Sequence, residues 1–419
     1  MRLAARVLAV LRDAPFMTPG RALAYARLLA LFMLAGLAFD WVSTLIGHHP
    51  WGHVEGPAGK PQATDFLAFW AAGRSYWAGM VGSAYDLRAL SLREHAAAIM
   101  DPGALLAFFY PPTFLLLCLP FAALPYMAGF GAFVAVSLAM LVAGLRRILL
   151  TPALARSRAW AWGALPVLAF PGLLMNAATG QNGFWSASCF AWALIWLDTR
   201  PALAGACLGM LVIKPHLALV VPVALVAARR WRALASCAGT AGIWMVASWL
   251  VVGAAAWRGF LASAPAIRDA LEHHSEDWGK LQSLFTSARL LGAGLGAAYG
   301  LQLGLSLAAA IALAVLVRRR PGAGAEVALM ASACMLGSPH ILDYDLAVTG
   351  VPLAWIAGRA ACTGWLAWEK LGAGVVFLWP LVARISTQSG VAPLAPVILL
   401  GLFALTWRRA GQIRSGASC

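Results

Sequence analysis

The sequence predicts an all-α polytopic membrane protein with a bundle of about 12 transmembrane helices. Three observations carry that prediction. Of 419 residues, 62% are apolar and 11% charged, whereas a water-soluble domain has about 45–50% apolar and about 25% charged residues. The apolar residues fall in solid runs, without the polar–apolar alternation of barrel strands. The net charge of +15 is gathered in short arginine clusters between the runs, as in cytoplasmic loops. No basic tract is interleaved with exposed aromatics, so nucleic acid is not an expected partner. The cysteines are scattered without a CxxC pair and read as small core residues.

Taken in order, Arg2, Arg6, Arg12 and Arg21 precede the first run, 25–47, and Arg27 stands at its start. That run is too long for a signal-peptide core and lacks a small-residue cleavage site, so it reads as the first span. The later runs are 106–124, 127–145, 159–177, 183–197, 201–213, 216–228, 233–253, 297–317, 325–337, 342–358, 366–383 and 391–407. The clusters Arg146/Arg147/Arg156/Arg158, Arg200, Arg229/Arg230/Arg232, Arg318/Arg319/Arg320 and Arg408/Arg409/Arg414 place the intervening loops and both termini in the cytoplasm. An even number of crossings is then required, so one run does not cross. Segment 106–124 holds Tyr110-Pro111-Pro112 and Pro120, and proline breaks helices. It is expected to be a broken or re-entrant piece lining a cavity. The chain reads as one membrane domain, 1–419, with two long noncytoplasmic loops, 48–105 and 254–296, in which the acidic residues concentrate.

In the first loop, Phe66, Phe69, Trp70, Tyr76 and Trp77 recur at helical spacing over 64–79. The stretch is too short to span and predicts an interfacial helix. Asp65 stands in its first turn, where the helix dipole favours a carboxylate and Thr64 could cap. It is either a helix-start residue or a carboxylate held at the membrane face. Lys214 interrupts LGMLVIKPHLALVVPVAL beside Pro215. It either snorkels to the interface or holds a phosphate as a point charge. His216, one position beyond Pro215, reads as a hydrogen-bonded structural residue. Gln181 and Asn182 lie in Gly180-Gln181-Asn182-Gly183, which is either a hairpin turn or a pair of amides suited to sugar hydroxyls. Ser338-Pro339-His340-Ile341-Leu342-Asp343-Tyr344-Asp345 gathers three ionisable groups between two apolar runs. Asp343 and Asp345 are two apart, which suits helix capping better than a paired-carboxylate site, and the spacing matches no metal motif. The mixed charge of the second loop, including Lys280, reads as a solvated face. Walker, GxSxG, HExxH and Rossmann motifs are absent, which argues against an ATP-driven pump and a soluble-type hydrolase.

The chain resembles glycosyltransferase family 87, a bacterial polytopic mannosyltransferase-like group of the GT-C superfamily. The elements that carry the resemblance are DFLAFWAAGRSYWAGMVGSAYD at 65–86, FFYPPTFLLLCLPFAALPY at 108–126, GQNGF at 180–184, LAGACLGMLVIKPHLALVVPVAL at 203–225 and GSPHILDYDLAV at 337–348. Mycobacterial-type members carry SPxxWxHH where this chain reads SPHILDYD. The resemblance implies a GT-C-type bundle and transfer of a mannose-like hexose from a polyprenyl-phosphate donor to a lipid or glycan acceptor. The reaction would occur at the periplasmic face of a bacterial inner membrane, without metal or cofactor. Asp65 would be the general base of an inverting transfer. Lys214, with Arg74 and Lys280, would hold the donor phosphate. Gln181, Asn182, Tyr110, His216, His340, Asp343 and Asp345 would line the sugar and acceptor sites. The competing class is a secondary transporter or lipid-linked-sugar flippase, which would also use broken helices and buried charge.

Overall fold

A computed structural model describes residues 2–47, 64–98, 105–150, 165–273, 278–388 and 393–412. Among the described residues the chain is all-α, and no strand forms beyond an isolated antiparallel bridge between Leu281 and Leu342. The α-helices of six residues or more, in chain order, are α1 (Arg2–Asp13), α2 (Pro19–Gly47), α3 (Thr64–Trp77), α4 (Leu87–Ala97), α5 (Pro112–Ala122) and α6 (Tyr126–Leu149). They continue with α7 (Leu174–Thr179), α8 (Gly183–Trp196), α9 (Pro201–Gly209), α10 (Val220–Ala227), α11 (Trp231–Ala262) and α12 (Ala264–Glu272). The last six are α13 (Leu284–Leu290), α14 (Leu295–Arg318), α15 (Ala323–Cys334), α16 (Gly350–Thr363), α17 (Glu369–Gln388) and α18 (Ala395–Gln412).

Among the described residues, five helical stretches are long and apolar enough to cross a membrane: Pro19–Phe39, Tyr126–Leu149, Trp231–Glu272, Leu295–Arg318 and Asp343–Thr363. Large apolar side chains stand outward on them, such as Phe32, Ile243 and Leu250, as a lipid-facing surface requires. Pro112–Ala122, Gly183–Trp196, Pro201–Ile213, Pro215–Ala227 and Ala323–Cys334 are apolar but shorter. The sequence counts most of these as crossings. Local chemistry shortens them: proline opens α5, α9 and the turn at Pro215, and Lys214 leaves helical geometry altogether at φ −141°. Segment 106–124 contributes α5, an 11-residue helix with Pro120 inside it, which at 1.5 Å per residue is well short of a bilayer.

The two largest cores among the described residues hold most of the bundle. The larger is aliphatic and joins α6, α8, α9, α10, α14, α15, α16, α17 and α18. Within it α9 meets α11 at backbone distance, because a Cβ on Gly205 would lie 2.1 Å from the Ala233 carbonyl oxygen and one on Gly209 2.5 Å from that of Cys237. This is the close approach that a Gly-x-x-x-Gly face permits. The second core is aromatic. Phe66 and Phe69 of α3 pack on Phe114 and Phe133, with Phe69–Phe114 centroids 4.8 Å apart edge-on and Phe66–Phe133 5.3 Å apart. The helix predicted in the first loop is therefore present, but its phenylalanine face is buried against α5 and α6, and only the opposite face is open. The Thr64 side chain lies outside the described residues, as do 48–63, 99–104 and 274–277 of the two long loops.

Ion pairs tie the helix ends. Arg230 donates to both oxygens of Glu326 at 2.8 and 3.0 Å and pairs with Asp198 at 2.8 Å. Arg409 pairs with Glu369 and donates to Thr363 Oγ1 at 2.8 Å. Two of the predicted basic clusters thus spend an arginine on the fold rather than on the surface.

Candidate functional site

The side chains singled out in the sequence fall into one main cluster and one outlying position. The cluster is assembled from helix ends and breaks, the places where main-chain direction changes and polar groups can converge. At the start of α8, Gly183 lets the chain pass under the 343–349 segment, since a Cβ there would lie 2.3 Å from the Tyr344 carbonyl oxygen. Asn176 of α7 fixes that contact: its Nδ2 donates to Tyr344 O at 2.8 Å and its Oδ1 accepts from Gly183 N at 2.8 Å.

Lys214 is the centre. Its side chain is 2% exposed, and Nζ donates to Asp345 Oδ1 at 2.5 Å and to Asn182 Oδ1 at 3.1 Å. The ammonium also rests 4.4 Å from the centroid of the Tyr344 ring, a cation–π contact. Asp345 is fully buried, and its other oxygen accepts from Leu342 N at 3.1 Å, which caps the 3-10 turn Asp343–Thr349. The capping role that the sequence offers for both aspartates is thus filled by Asp345. Asp343 instead accepts from Arg384 Nε and Nη2 at 2.9 and 2.6 Å, through Oδ2 alone.

Tyr110 follows the extended stretch before α5. Its hydroxyl donates to Gln181 Oε1 at 3.2 Å and shares a 3.2 Å hydrogen bond with the Tyr344 hydroxyl. Asp65, half-buried at the start of α3, faces this group. Its carboxylate interacts electrostatically with Tyr110, Lys214, Asp343 and Tyr344. The second long loop closes one side: Gln282 N donates to Ile341 O at 2.7 Å beside the Leu281–Leu342 bridge, and half-buried Lys280 interacts with Asp343. His216 and His340 stand edge to face, with centroids 5.9 Å apart.

Buried polar atoms of the cluster without a hydrogen-bond partner include Asn182 Nδ2, His216 Nε2, Asp343 Oδ1 and, at its edge, Gln282 Oε1. A buried unpaired polar atom costs about 1–3 kcal/mol, and natural proteins carry few of them. A donor amide, an imidazole nitrogen and a carboxylate oxygen around one centre can together engage a polyhydroxylated ligand. Among the described residues, no three His, Cys, Asp or Glu side chains converge as a metal site.

Arg74 is the outlier. It stands nine residues after Asp65 on α3, half a turn round and about 13 Å along the axis, and it faces away from the cluster towards Arg93 of α4. Arg384 and Asn176 were missed in the sequence. Arg384 carried a readable signal, an ionisable group at the edge of run 366–383. Asn176, one amide at the end of an apolar run, did not.

The family model described as glycosyltransferase family 87 matches residues 108–339. The matched region takes in Tyr110, Gln181, Asn182, Lys214, His216 and Lys280 and stops short of Asp65, His340, Asp343 and Asp345. No curated protein and no solved structure matches the chain.

Proposed function

The chain belongs to glycosyltransferase family 87, and from that membership we propose a polyprenyl-phosphate-sugar-dependent hexosyltransferase. It moves a mannose-like sugar to a lipid or glycan acceptor at the periplasmic face, with inversion at the anomeric carbon and Asp65 as general base. The observation that carries this reading is the position of Asp65. It is a half-buried carboxylate at a helix start, facing a buried cluster whose amide, imidazole and carboxylate atoms await partners.

The acceptor hydroxyl gives its proton to Asp65 as its oxygen bonds to the anomeric carbon. The bond from that carbon to the phosphate oxygen breaks, and its electron pair leaves with the polyprenyl phosphate. A phosphate leaving group is stabilised by fixed cations and needs no protonation, so one carboxylate suffices where a glycosidase uses two. Lys280 and Arg384 are half-buried cations beside the cluster, both interacting with Asp343. Lys214, enclosed and neutralised by Asp345, serves as the positioning residue that holds Asn182 and Asp345 in place. Asn182 and Gln181 orient the sugar, with Tyr110, His216, His340 and Asp343 around it.

The test is transfer from a polyprenyl-phosphate mannose by purified protein in vesicles. Asp65→Asn should lower turnover by about 10²–10⁴-fold, the usual worth of a general base, while the protein still folds and inserts. Full turnover in that variant would overturn the assignment. Uptake of intact donor without release of polyprenyl phosphate would point instead to a transporter.

A further inference from the structure

We propose that the outer face of the α3–α4 pair is a binding site for the phosphate headgroup of an anionic membrane lipid, held between Arg74 and Arg93. The site is a cleft of about 280 Å³, near the lower end of the range for ligand pockets. Trp70, Arg74 and Trp77 supply one wall at positions i, i+4 and i+7 of α3, and Arg93, Ala96 and Ala97 supply the other at i, i+3 and i+4 of α4. Each set lies on one helix face. The alanines leave the space that the arginines reach into.

Two like charges have been brought to one cleft without an acid to offset them. Arg74 is exposed and rests over the Trp70 ring at 5.6 Å. Arg93 donates to Ala89 O at 3.2 Å and to Met80 Sδ at 4.0 Å. Neither guanidinium forms an ion pair among the described residues, and no carboxylate lines the cleft. Paired guanidinia match the oxygens of a phosphate in charge and geometry. The indoles are fixed as walls, because Trp70 Nε1 donates to Leu124 O and Trp77 Nε1 to Leu119 O, both at 2.9 Å.

The surroundings identify a lipid rather than a free anion. Trp77, Met80 and Leu92 are exposed around the cleft, so an acyl chain leaving the phosphate meets apolar surface. Tryptophan beside arginine is also what the headgroup layer selects. A zwitterionic headgroup would bring a second cation towards the two arginines and is disfavoured. The site lies on the face of α3 opposite Asp65, so it is distinct from the transfer cluster and does not depend on that reading.

The full chain purified in detergent with phosphatidylglycerol, and examined by native mass spectrometry, tests this. Wild type should retain one phosphatidylglycerol that phosphatidylcholine or inorganic phosphate at equal concentration does not replace. Arg74→Gln and Arg93→Gln should each weaken retention about tenfold, the loss of one charge-assisted contact. Arg88→Gln removes a charge from the same helix outside the cleft and should retain the lipid. Equal loss in Arg88→Gln and Arg93→Gln, or equal retention of phosphatidylcholine, would overturn the site. Displacement by inorganic phosphate would make it an anion site and overturn the lipid assignment.

Discussion

The ion pair between Lys214 and Asp345 sets the energetics at the scale of single residues. Both side chains are enclosed, so removing either leaves an uncompensated charge, at a cost of about 3–5 kcal/mol. Lys214→Met and Asp345→Asn should each lower the thermal midpoint of the purified protein. The double variant Lys214→Met/Asp345→Leu should recover much of the loss, because paired apolar side chains of similar volume relieve the penalty. A double variant no more stable than the singles would show that the pair is not an isolated unit. Arg384 answers to a different measurement. If it steadies the departing phosphate, Arg384→Gln lowers kcat/KM for the lipid-linked donor by about tenfold or more at a temperature where the variant is still folded, and its folding midpoint falls as well because Asp343 loses its ion-pair partner. Sequence alone exposed Lys214, Asn182 and Asp345 as anomalies within apolar runs but could not pair them. The partners are separated by 131 and 32 residues, and only packing brings them together. The resemblance gave equal weight to Arg74 and Lys280, whereas the phase of α3 turns Arg74 away from the cluster towards α4.

At the scale of elements, α4 carries a titratable anchor. Glu94 is buried on the inner face of the helix, with Oε2 accepting from Leu106 N at 3.1 Å and Oε1 unpartnered. Burial pushes its carboxyl from 4.5 up to about 7, against smaller opposing effects of the Leu106 amide and His95. Because the folded value is the higher, the folded state holds a proton that the unfolded state releases. Stability should therefore fall as pH rises from about 4.5 to about 7 and level off above that. Thermal unfolding followed by tryptophan fluorescence at pH 5 and pH 8 reads this difference, and Glu94→Gln should flatten it; an unchanged slope in the variant assigns the effect elsewhere. The close approach of α9 and α11 makes a second element-scale prediction. Gly205→Val has no room against Ala233 and should destabilise by more than the ~1–3 kcal/mol typical of overpacking, because the obstacle is main chain. Its yield after detergent extraction, against that of exposed Gly296→Val, measures the effect. Helix type was readable in the apolar runs throughout. Helix length was not, because proline and buried charge divide a run in ways that composition averages over.

At the scale of the whole molecule, the proposed topology sets the arginine clusters and α4 on opposite sides of the membrane. If the clusters are cytoplasmic, a cysteine at Arg88 should react with an impermeant maleimide from the periplasm, and one at Arg319 only after the inner membrane is opened. The reverse labelling would place the Asp65 cluster on the wrong side for a donor presented in the periplasm. The architecture also explains why the polar cluster could be suspected from scattered residues yet not drawn. Its members come from the first loop, three broken segments and the far end of the chain, and the aromatic and aliphatic cores meet around them. One consequence concerns how the protein is made. Lys214 leaves the ribosome 131 residues before Asp345, on the order of ten seconds earlier at ordinary rates of translation. Through that interval its hydrogen-bonded counter-ion Asp345 is missing, and a charge left so is costly in hydrocarbon. The hairpin around it should therefore stay at the translocon or the bilayer edge, and settle only when the carboxyl-terminal third arrives. Nascent chains arrested before position 345 should leave a cysteine at 214 open to aqueous reagents.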